Sequence, residues 1–136
     1  MSLDKSKEFA IRIVRLYKYL CKDKHEYVMS KQLLRCGISI GANLSEAIYG
    51  VSRNDFLAKV YISLKECAET KYWLDILHET DHLSDNEFDS IDEDCTELIK
   101  LLTSTVKTTR LNNTKQQSAN NDDLSIINLY YLLSFD

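Results

Sequence analysis

The residues best suited to metal chemistry lie close together just past the middle of the chain. Glu79 and His82 have the Glu-x-x-His spacing found in di-iron helical bundles, and His78 lies four residues before His82, a spacing that can share a metal ion. A di-iron site needs two Glu-x-x-His motifs, whereas this sequence has one, at the predicted end of a helix. We therefore predict a solvated helix end here, with no metal site and no cofactor.

The sequence motifs of nucleotide binding and of nucleophilic catalysis are absent. The chain has no Walker motif, no glycine-rich phosphate loop and no nucleophile elbow. Its cysteines are widely spaced, with no C-x-x-C pair and no evident histidine partner, so we interpret them as small buried hydrophobic side chains. They are Cys21, Cys36, Cys67 and Cys95. We predict no catalytic residues and a protein that is not an enzyme.

Basic side chains are the remaining candidates for binding chemistry. The formal net charge is −4, but residues 1–35 carry nine Lys and Arg against four Asp and Glu. Cations along a helix can bind phosphate groups, with an affinity that depends steeply on salt. Five lie on one broad side of the predicted first helix and two begin the second: Lys5, Arg12, Arg15, Lys18, Lys22, Lys31 and Arg35. These seven are candidate nucleic-acid-binding residues, and the alternative is an ordinary solvated helix face.

Four amphipathic segments must position these side chains. Apolar residues recur at steps of three and four in each of them, which is typical of helices packed on one side. The absence of proline, together with only three glycines, favours long helices with short connections. The segments run over about 4–22, 29–49, 54–79 and from about 85 onward. We predict an all-α fold, an up-down-up-down antiparallel four-helix bundle over residues 1–111.

Helix-capping signals mark the boundaries of these segments. Ser30 is a possible N-cap of the second helix, and Gly50 is its expected stop. Residues 52–55 resemble a capping box before the third helix, and residues 84–87 form a full capping box before the fourth.

The last part of the sequence differs from the rest in composition. Residues 112–123, NNTKQQSANNDD, predict a flexible polar linker, and the apolar stretch LSIINLYYLLSF follows it. We predict a flexible C-terminal tail over 112–136 that docks on this bundle or on a neighbouring subunit. No segment has the roughly 18 uninterrupted apolar residues of a membrane span, and the N-terminus has no apolar signal core. We therefore expect a cytoplasmic protein with no membrane partner.

Two of the three glycines lie four residues apart inside the predicted second helix. Gly37, Gly41 and Ser45 form a stripe of small side chains that lets another backbone approach closely. A second apolar side of the same helix indicates burial against another subunit. The residues assigned to the helix crossing or to an oligomer interface are Gly37, Ile38, Gly41, Ala42, Asn43, Ser45, Glu46 and Tyr49. For Asn43 and Glu46 the alternative is a polar pair that fixes packing register or caps a loop.

Two motifs resemble one known family. They are S-I-x-A-N-x-x-E-A over residues 39–47 and L-K-E-x-x-E-T-x-Y-W over residues 64–73, and the likeness extends over about 5–111. The chain resembles the four-helix-bundle proteins encoded in intervening sequences of bacterial large-subunit ribosomal RNA genes. The resemblance implies a cytoplasmic ring, a homopentamer, without established enzymatic activity. It also implies kinship with the accessory protein of diversity-generating retroelements, a basic pentamer thought to bind nucleic acid and a reverse transcriptase.

Two functions remain open from the sequence. The first is an oligomeric accessory protein that binds RNA or a ribonucleoprotein, such as one with a reverse transcriptase, through the basic face of the first helix. The second is a ring-forming structural or adaptor protein that binds a protein partner and has no nucleic-acid role. The net negative charge and the apolar C-terminal tail favour the second, and the basic first third of the chain favours the first. Neither function requires a small-molecule substrate.

Overall fold

The computed structural model describes residues 2–116, which form four helices. They are α1 (Ser2–Lys22), α2 (Met29–Ile48), α3 (Arg53–Glu79) and α4 (Asp85–Gln116). Each helix packs against the next one in the chain, and α1 also contacts α4, which closes the bundle. The prediction of an all-α up-down-up-down bundle is confirmed. None of these four helices is long and apolar enough to cross a membrane.

The core is built from the inward stripes of all four helices. Its fully buried large side chains include Phe9, Ile13, Leu20, Leu33, Ile40, Leu74, Leu77, Leu98 and Leu102. Three of the four free cysteines are buried within it, while Cys21 is half-buried. Burial raises the pKa of Cys36 to about 11 and that of Cys95 to about 12, so both stay as neutral thiols. The interpretation of the cysteines as buried side chains is confirmed for three and only partly for Cys21.

The start of α2 is capped by a residue that we did not predict. The carboxylate of Glu26 accepts backbone N–H groups from Val28 at 3.1 Å, Met29 at 2.9 Å and Ser30 at 2.7 Å. Ser30 is buried inside the helix, and its hydroxyl donates to the Glu26 carbonyl at 2.8 Å. The prediction of Ser30 as the N-cap is therefore wrong, because one carboxylate satisfies three of the free N–H groups at once.

The caps of α3 and α4 follow their sequence signals. The Ser52 hydroxyl accepts the backbone N–H of Asp55 at 3.1 Å. Ser84 and Glu87 form a reciprocal pair, in which the Ser84 hydroxyl accepts at 3.2 Å and the Glu87 carboxylate accepts at 2.8 Å. Both predicted caps are confirmed.

The end of α2 differs from the prediction in one respect. The helix ends at Ile48, two residues before Gly50, and no glycine has a positive φ. Gly50 therefore does not act as a left-handed helix cap. Its position is crowded instead, because an added Cβ would lie 3.2 Å from the carbonyl oxygen of Ala47.

Helix α4 continues five residues beyond the predicted start of the linker. Residues 112–116 are helical, so the linker does not begin at residue 112. A tertiary contact helps to hold this extra turn, since Arg53 Nη1 donates to Asn113 Oδ1 at 2.8 Å. Polar composition alone did not reveal this contact, because its partner lies 60 residues away. The rest of the predicted tail lies outside the described residues.

A close crossing of α1 and α2 sets the geometry of the first two helices. A Cβ added at Gly37 would lie 2.8 Å from Cγ2 and 2.9 Å from Cγ1 of Ile13, which is fully buried. A Cβ added at Gly41 would lie 3.0 Å from the hydroxyl oxygen of Ser6. Side chains at both positions would push the two helices apart. This crossing fixes which side of α1 faces the core.

The Glu26 cap predicts a pH-dependent contribution to stability. Partial burial acts to raise the pKa of Glu26, but the N–H donors from Met29, Ser30 and Val28 outweigh it and lower that pKa. We expect Glu26→Gln to lower the free energy of unfolding by about 1 kcal/mol at neutral pH. A lowered folded-state pKa contributes its full stabilisation above the unfolded value of about 4.3 and loses it as the pH falls through the lower folded value. Urea titrations should therefore show the difference from wild type shrinking between about pH 5 and pH 3.

The matched control for this cap is Glu93→Gln, an exposed change on α4. It should shift the free energy of unfolding by less than about 0.5 kcal/mol. A difference between the Glu26→Gln variant and wild type that stays constant on acidification would contradict the capping role.

The α1–α2 crossing predicts a coupling between Gly37 and Ile13. We expect Gly37→Ala to be destabilising, because overpacking costs about 1–3 kcal/mol and exceeds the helix gain of about 1 kcal/mol. In an Ile13→Ala background the clash disappears, so the same change should become neutral or stabilising. A double-mutant cycle measured by urea unfolding gives the coupling. Equal costs in both backgrounds would show that the two helices are not in tight contact here.

Candidate nucleic-acid interface

The cations of α1 fall into two sets with different surroundings. At about 100° per residue, Lys7, Ile11, Arg15, Lys18 and Lys22 fall within an arc of about 80°. All five are exposed, and we call this set the α1 outer stripe. Within residues 2–116, none of its four cations forms an ion pair. The stripe is therefore a line of four cations without an ion pair in this part of the chain, and Asp4 is the one carboxylate within the same arc of α1.

The second set faces α4 and is neutralised there. Lys5 Nζ lies 2.8 Å from Glu97 Oε1, and this carboxylate raises the pKa of Lys5. Arg12 pairs with Asp94 and also donates to the carbonyl of Ser90 at 3.2 Å and to its hydroxyl at 2.8 Å. These two cations join α1 to α4, and their charge is not free for a ligand.

The two cations predicted on α2 also have different surroundings. Arg35 pairs with Glu66 at 3.5 Å and with Glu69, so it joins α2 to α3. Partial burial acts to raise the pKa of Glu69, but hydrogen bonds from Trp73 and Arg35 lower it overall. Lys31 is exposed, and the described part of the chain offers it no ion pair.

Lys31 belongs to the same end of the bundle as the last residue of the outer stripe. Its neighbour Ser30 has its hydroxyl 3.7 Å from the Cys21 sulfur, and Cys21 precedes Lys22. The structure thus places Lys31 at the same end of the bundle as Lys22, and Arg15 and Lys18 lie in the same stripe as Lys22. It does not place Lys5, Arg12 and Arg35 in the same group.

The sequence contains a signal for one stripe residue that we did not include. Lys7 fits the series 7, 11, 15, 18 and 22, whose steps of four, four, three and four hold one helix face. The same periodicity places Arg12 and Lys5 about 60° and 80° outside this arc, whereas no local signal separates Arg35. The carboxylate partners of all three lie 31 to 92 residues away in the chain, on α3 or α4.

An open groove lies between α1 and α2, beside the stripe. It has a volume of about 440 Å³, and small side chains line most of it. We call it the small-residue groove, lined by Leu3, Asp4, Ser6, Lys7, Ala10, Ile38, Gly41, Ala42 and Ser45. A second groove of about 370 Å³ runs along the stripe itself and shares Lys7 and Ala10 with the first. The small-residue groove and the basic stripe therefore form one continuous surface.

The other residues assigned to a crossing or interface lie in several places. Gly37 is buried in the crossing, and Tyr49 is 84% exposed at the end of α2. Asn43 donates to the Ser39 carbonyl at 2.8 Å within its own helix. Glu46 pairs with Lys59 of α3. Asn43 and Glu46 therefore bind different partners and do not form a pair with each other.

The two histidines near the α3–α4 turn take separate structural partners. His78 Nε2 lies 2.7 Å from Asp85 Oδ1, and its ring stacks on Phe88 with centroids 4.3 Å apart. His82 Nδ1 lies 2.9 Å from the Thr80 hydroxyl. Between residues 2 and 116, no group of three or more His, Cys, Asp or Glu side chains is placed to hold a metal ion.

Comparison with known proteins matches the part of the chain that carries the outer stripe and the small-residue groove to one family. A family model described as 23S rRNA-intervening sequence protein matches residues 2–104. One matching solved structure is a protein of unknown function from the S23 ribosomal protein family of Bacteroides thetaiotaomicron VPI-5482. It is 51% identical, covers 79% of this chain and 99% of its own, and superposes with a TM-score of 0.78. A search of curated proteins found no match. The range matched by the family model includes the outer stripe and the small-residue groove.

Proposed function

The chain belongs to the 23S rRNA-intervening sequence protein family, and on this basis we propose that it is a non-enzymatic, oligomeric accessory protein that binds RNA or a ribonucleoprotein. The observation that carries the proposal is the α1 outer stripe, with four cations that have no ion pair among the described residues. The family description names 23S rRNA, and the solved relative is assigned to a ribosomal protein family. The ribosomal family of the relative agrees with RNA as the ligand class, whereas the family description refers to the location of the encoding gene.

The stripe has the dimensions of a phosphate-binding surface. From Lys7 to Lys22 it covers 15 residue steps, or about 22 Å of helix at 1.5 Å each. Ammonium and guanidinium groups along this length can neutralise several phosphates and release their counterions. The contacts are to the backbone of the nucleic acid, so the expected binding is strongly salt-dependent and only weakly sequence-specific.

Self-association would repeat the outer stripe once in every subunit of the oligomer. The small-residue groove exposes Ile38 and Ala42 beside the stripe, and a neighbouring subunit that packs there would bury apolar surface. We propose this groove as the contact between subunits, with the pentamer that the family resemblance implies. Each further copy repeats the stripe, and linked sites bind one polyanion more tightly than separate sites do.

A protein-binding adaptor is the second candidate function. Its support is the acidic outer side of α4, where Asp85, Asp89 and Glu93 are exposed. This surface would repel phosphates and attract a basic protein. In this case the ring would act as a scaffold, and the outer stripe would be an ordinary solvated face.

Charge reversal on the stripe separates these two functions. We expect Arg15→Glu with Lys18→Glu to weaken binding of a structured RNA at least about tenfold at moderate salt, because two phosphate contacts per subunit are lost. The slope of log affinity against log salt should fall by about 1.4 to 1.8 per subunit engaged. Fluorescence anisotropy at four salt concentrations measures both quantities.

The matched control for charge reversal is Lys65→Glu with Lys100→Glu, two exposed lysines on α3 and α4 with the same change in net charge. It should reduce affinity much less than the stripe variant does. Equal losses would mean that only overall charge matters, and RNA affinity unchanged in the stripe variant would favour the adaptor.

A bulky residue in the small-residue groove tests the subunit contact. We expect Ala42→Arg to reduce the mass measured by light scattering toward the monomer value of 15.8 kDa, because the groove can no longer admit a neighbour. Ala42 is exposed, so the free energy of unfolding of the monomer should change by less than about 0.5 kcal/mol. Ala58→Arg, an exposed alanine of α3, is the control and should leave the mass unchanged. An Ala42→Arg protein with the wild-type oligomer mass would exclude this groove as the contact.

A further inference from the structure

One end of the bundle exposes a cluster of large apolar side chains. At the α2–α3 turn Ile48 is 58% exposed, Tyr49 84% and Val51 94%. We call these three residues the α2–α3 corner. Single exposed apolar residues are ordinary, but a group of this size at one end indicates a docking surface. We propose that residues 124–135 of this same chain cover the α2–α3 corner.

The path of the chain favours this occupant. Helix α4 runs to Gln116 at the end of the bundle that carries the corner, and Asn113 accepts a hydrogen bond from Arg53 at 2.8 Å. Val51 precedes Arg53 by two residues, so their Cα atoms are within about 8 Å. The seven residues 117–123 can reach roughly 25 Å. The segment that follows them can therefore reach the corner without any change in the bundle.

The composition of the segment matches the surface that it would cover. Nine of the twelve residues 124–135 are Leu, Ile, Tyr or Phe, so contact with the corner would remove apolar surface of both partners from water. A partner from another protein is not needed to explain the exposure of the corner. The segment is also held at a high effective concentration, because it is joined to the bundle.

Charge supports the same arrangement. Asp122 and Asp123 come directly before the apolar segment. The end of the bundle where they would lie carries an exposed Arg53 and a half-buried Arg110. Asp55, in the first turn of α3, is a nearby opposing charge. Two cations against this carboxylate leave a net attraction for the two aspartates.

Photo-crosslinking in the full chain tests the proposal. The variant Tyr49→p-benzoylphenylalanine places the crosslinker on the corner, where the native side chain is 84% exposed. Unlabelled and ¹⁵N-labelled protein are unfolded in urea, mixed, refolded together and irradiated, and the crosslinked peptides are identified by mass spectrometry. We expect crosslinks to residues 124–135 in peptides that carry a single isotope label.

Controls separate specific docking from random contact. Tyr72→p-benzoylphenylalanine places the same group on α3, where Tyr72 is 58% exposed, and it should give no crosslink to the segment. Asp122→Asn with Asp123→Asn should lower the crosslink yield from Tyr49 at least threefold at low salt. Asn120→Gln with Asn121→Gln should leave this yield unchanged.

Three outcomes would overturn the proposal. Crosslinks in peptides of mixed isotope label would mean that the segment of another copy covers the corner. Crosslinks from Tyr49 to helical residues of another copy would make the corner a bundle-to-bundle contact. Crosslinks that do not involve residues 124–135 would leave the corner without this occupant.

Discussion

The close crossing of α1 and α2 is the constraint on which the rest of the structure depends. At Gly37 the backbone of α2 lies so near Ile13 that even a methyl group would clash. This contact fixes the rotation of α1 about its own axis. Once Ile13 faces α2, the residues about a quarter of a turn away on one side of α1 must face α4. The residues on the side of α1 opposite Ile13 must face solvent. Interior packing, rather than charge, therefore decides which cations of α1 remain free.

The distribution of charge follows from this rotation. Arg12 pairs with Asp94 of α4, which neutralises it. Arg15 forms no such ion pair, although it lines the same α1–α4 groove as Glu87, and Lys18 lies on the side of α1 away from that groove. An exposed ion pair adds little stability by itself, so these contacts follow from the orientation of α1 and do not set it. The net charge of −4 conceals this segregation. A protein that is acidic overall can therefore still present a basic line on one helix.

Local signals made most of the fold predictable, and long-range contacts explain the errors. Helical periodicity and the capping boxes at Ser52 and Ser84 are encoded within a few neighbouring residues, so the number and order of helices could be derived from the sequence. The ion pairs of Arg12 and Arg35 and the hydrogen bond that extends α4 join residues far apart in the chain. A single sequence does not show such pairs. The cap at Glu26 is local, but the loop geometry that brings its carboxylate to three N–H groups has no simple motif.

On the function that we propose, the outer stripe contacts RNA, and the positive charge of the chain as a whole does not. Acetylation footprinting with mass spectrometry measures this for every lysine in one experiment, on the wild-type protein with and without a structured RNA. We predict that RNA lowers the acetylation rates of Lys18 and Lys22 severalfold, while those of Lys65 and Lys100 stay unchanged. Equal protection of all lysines, or protection confined to lysines outside the stripe, would contradict the account.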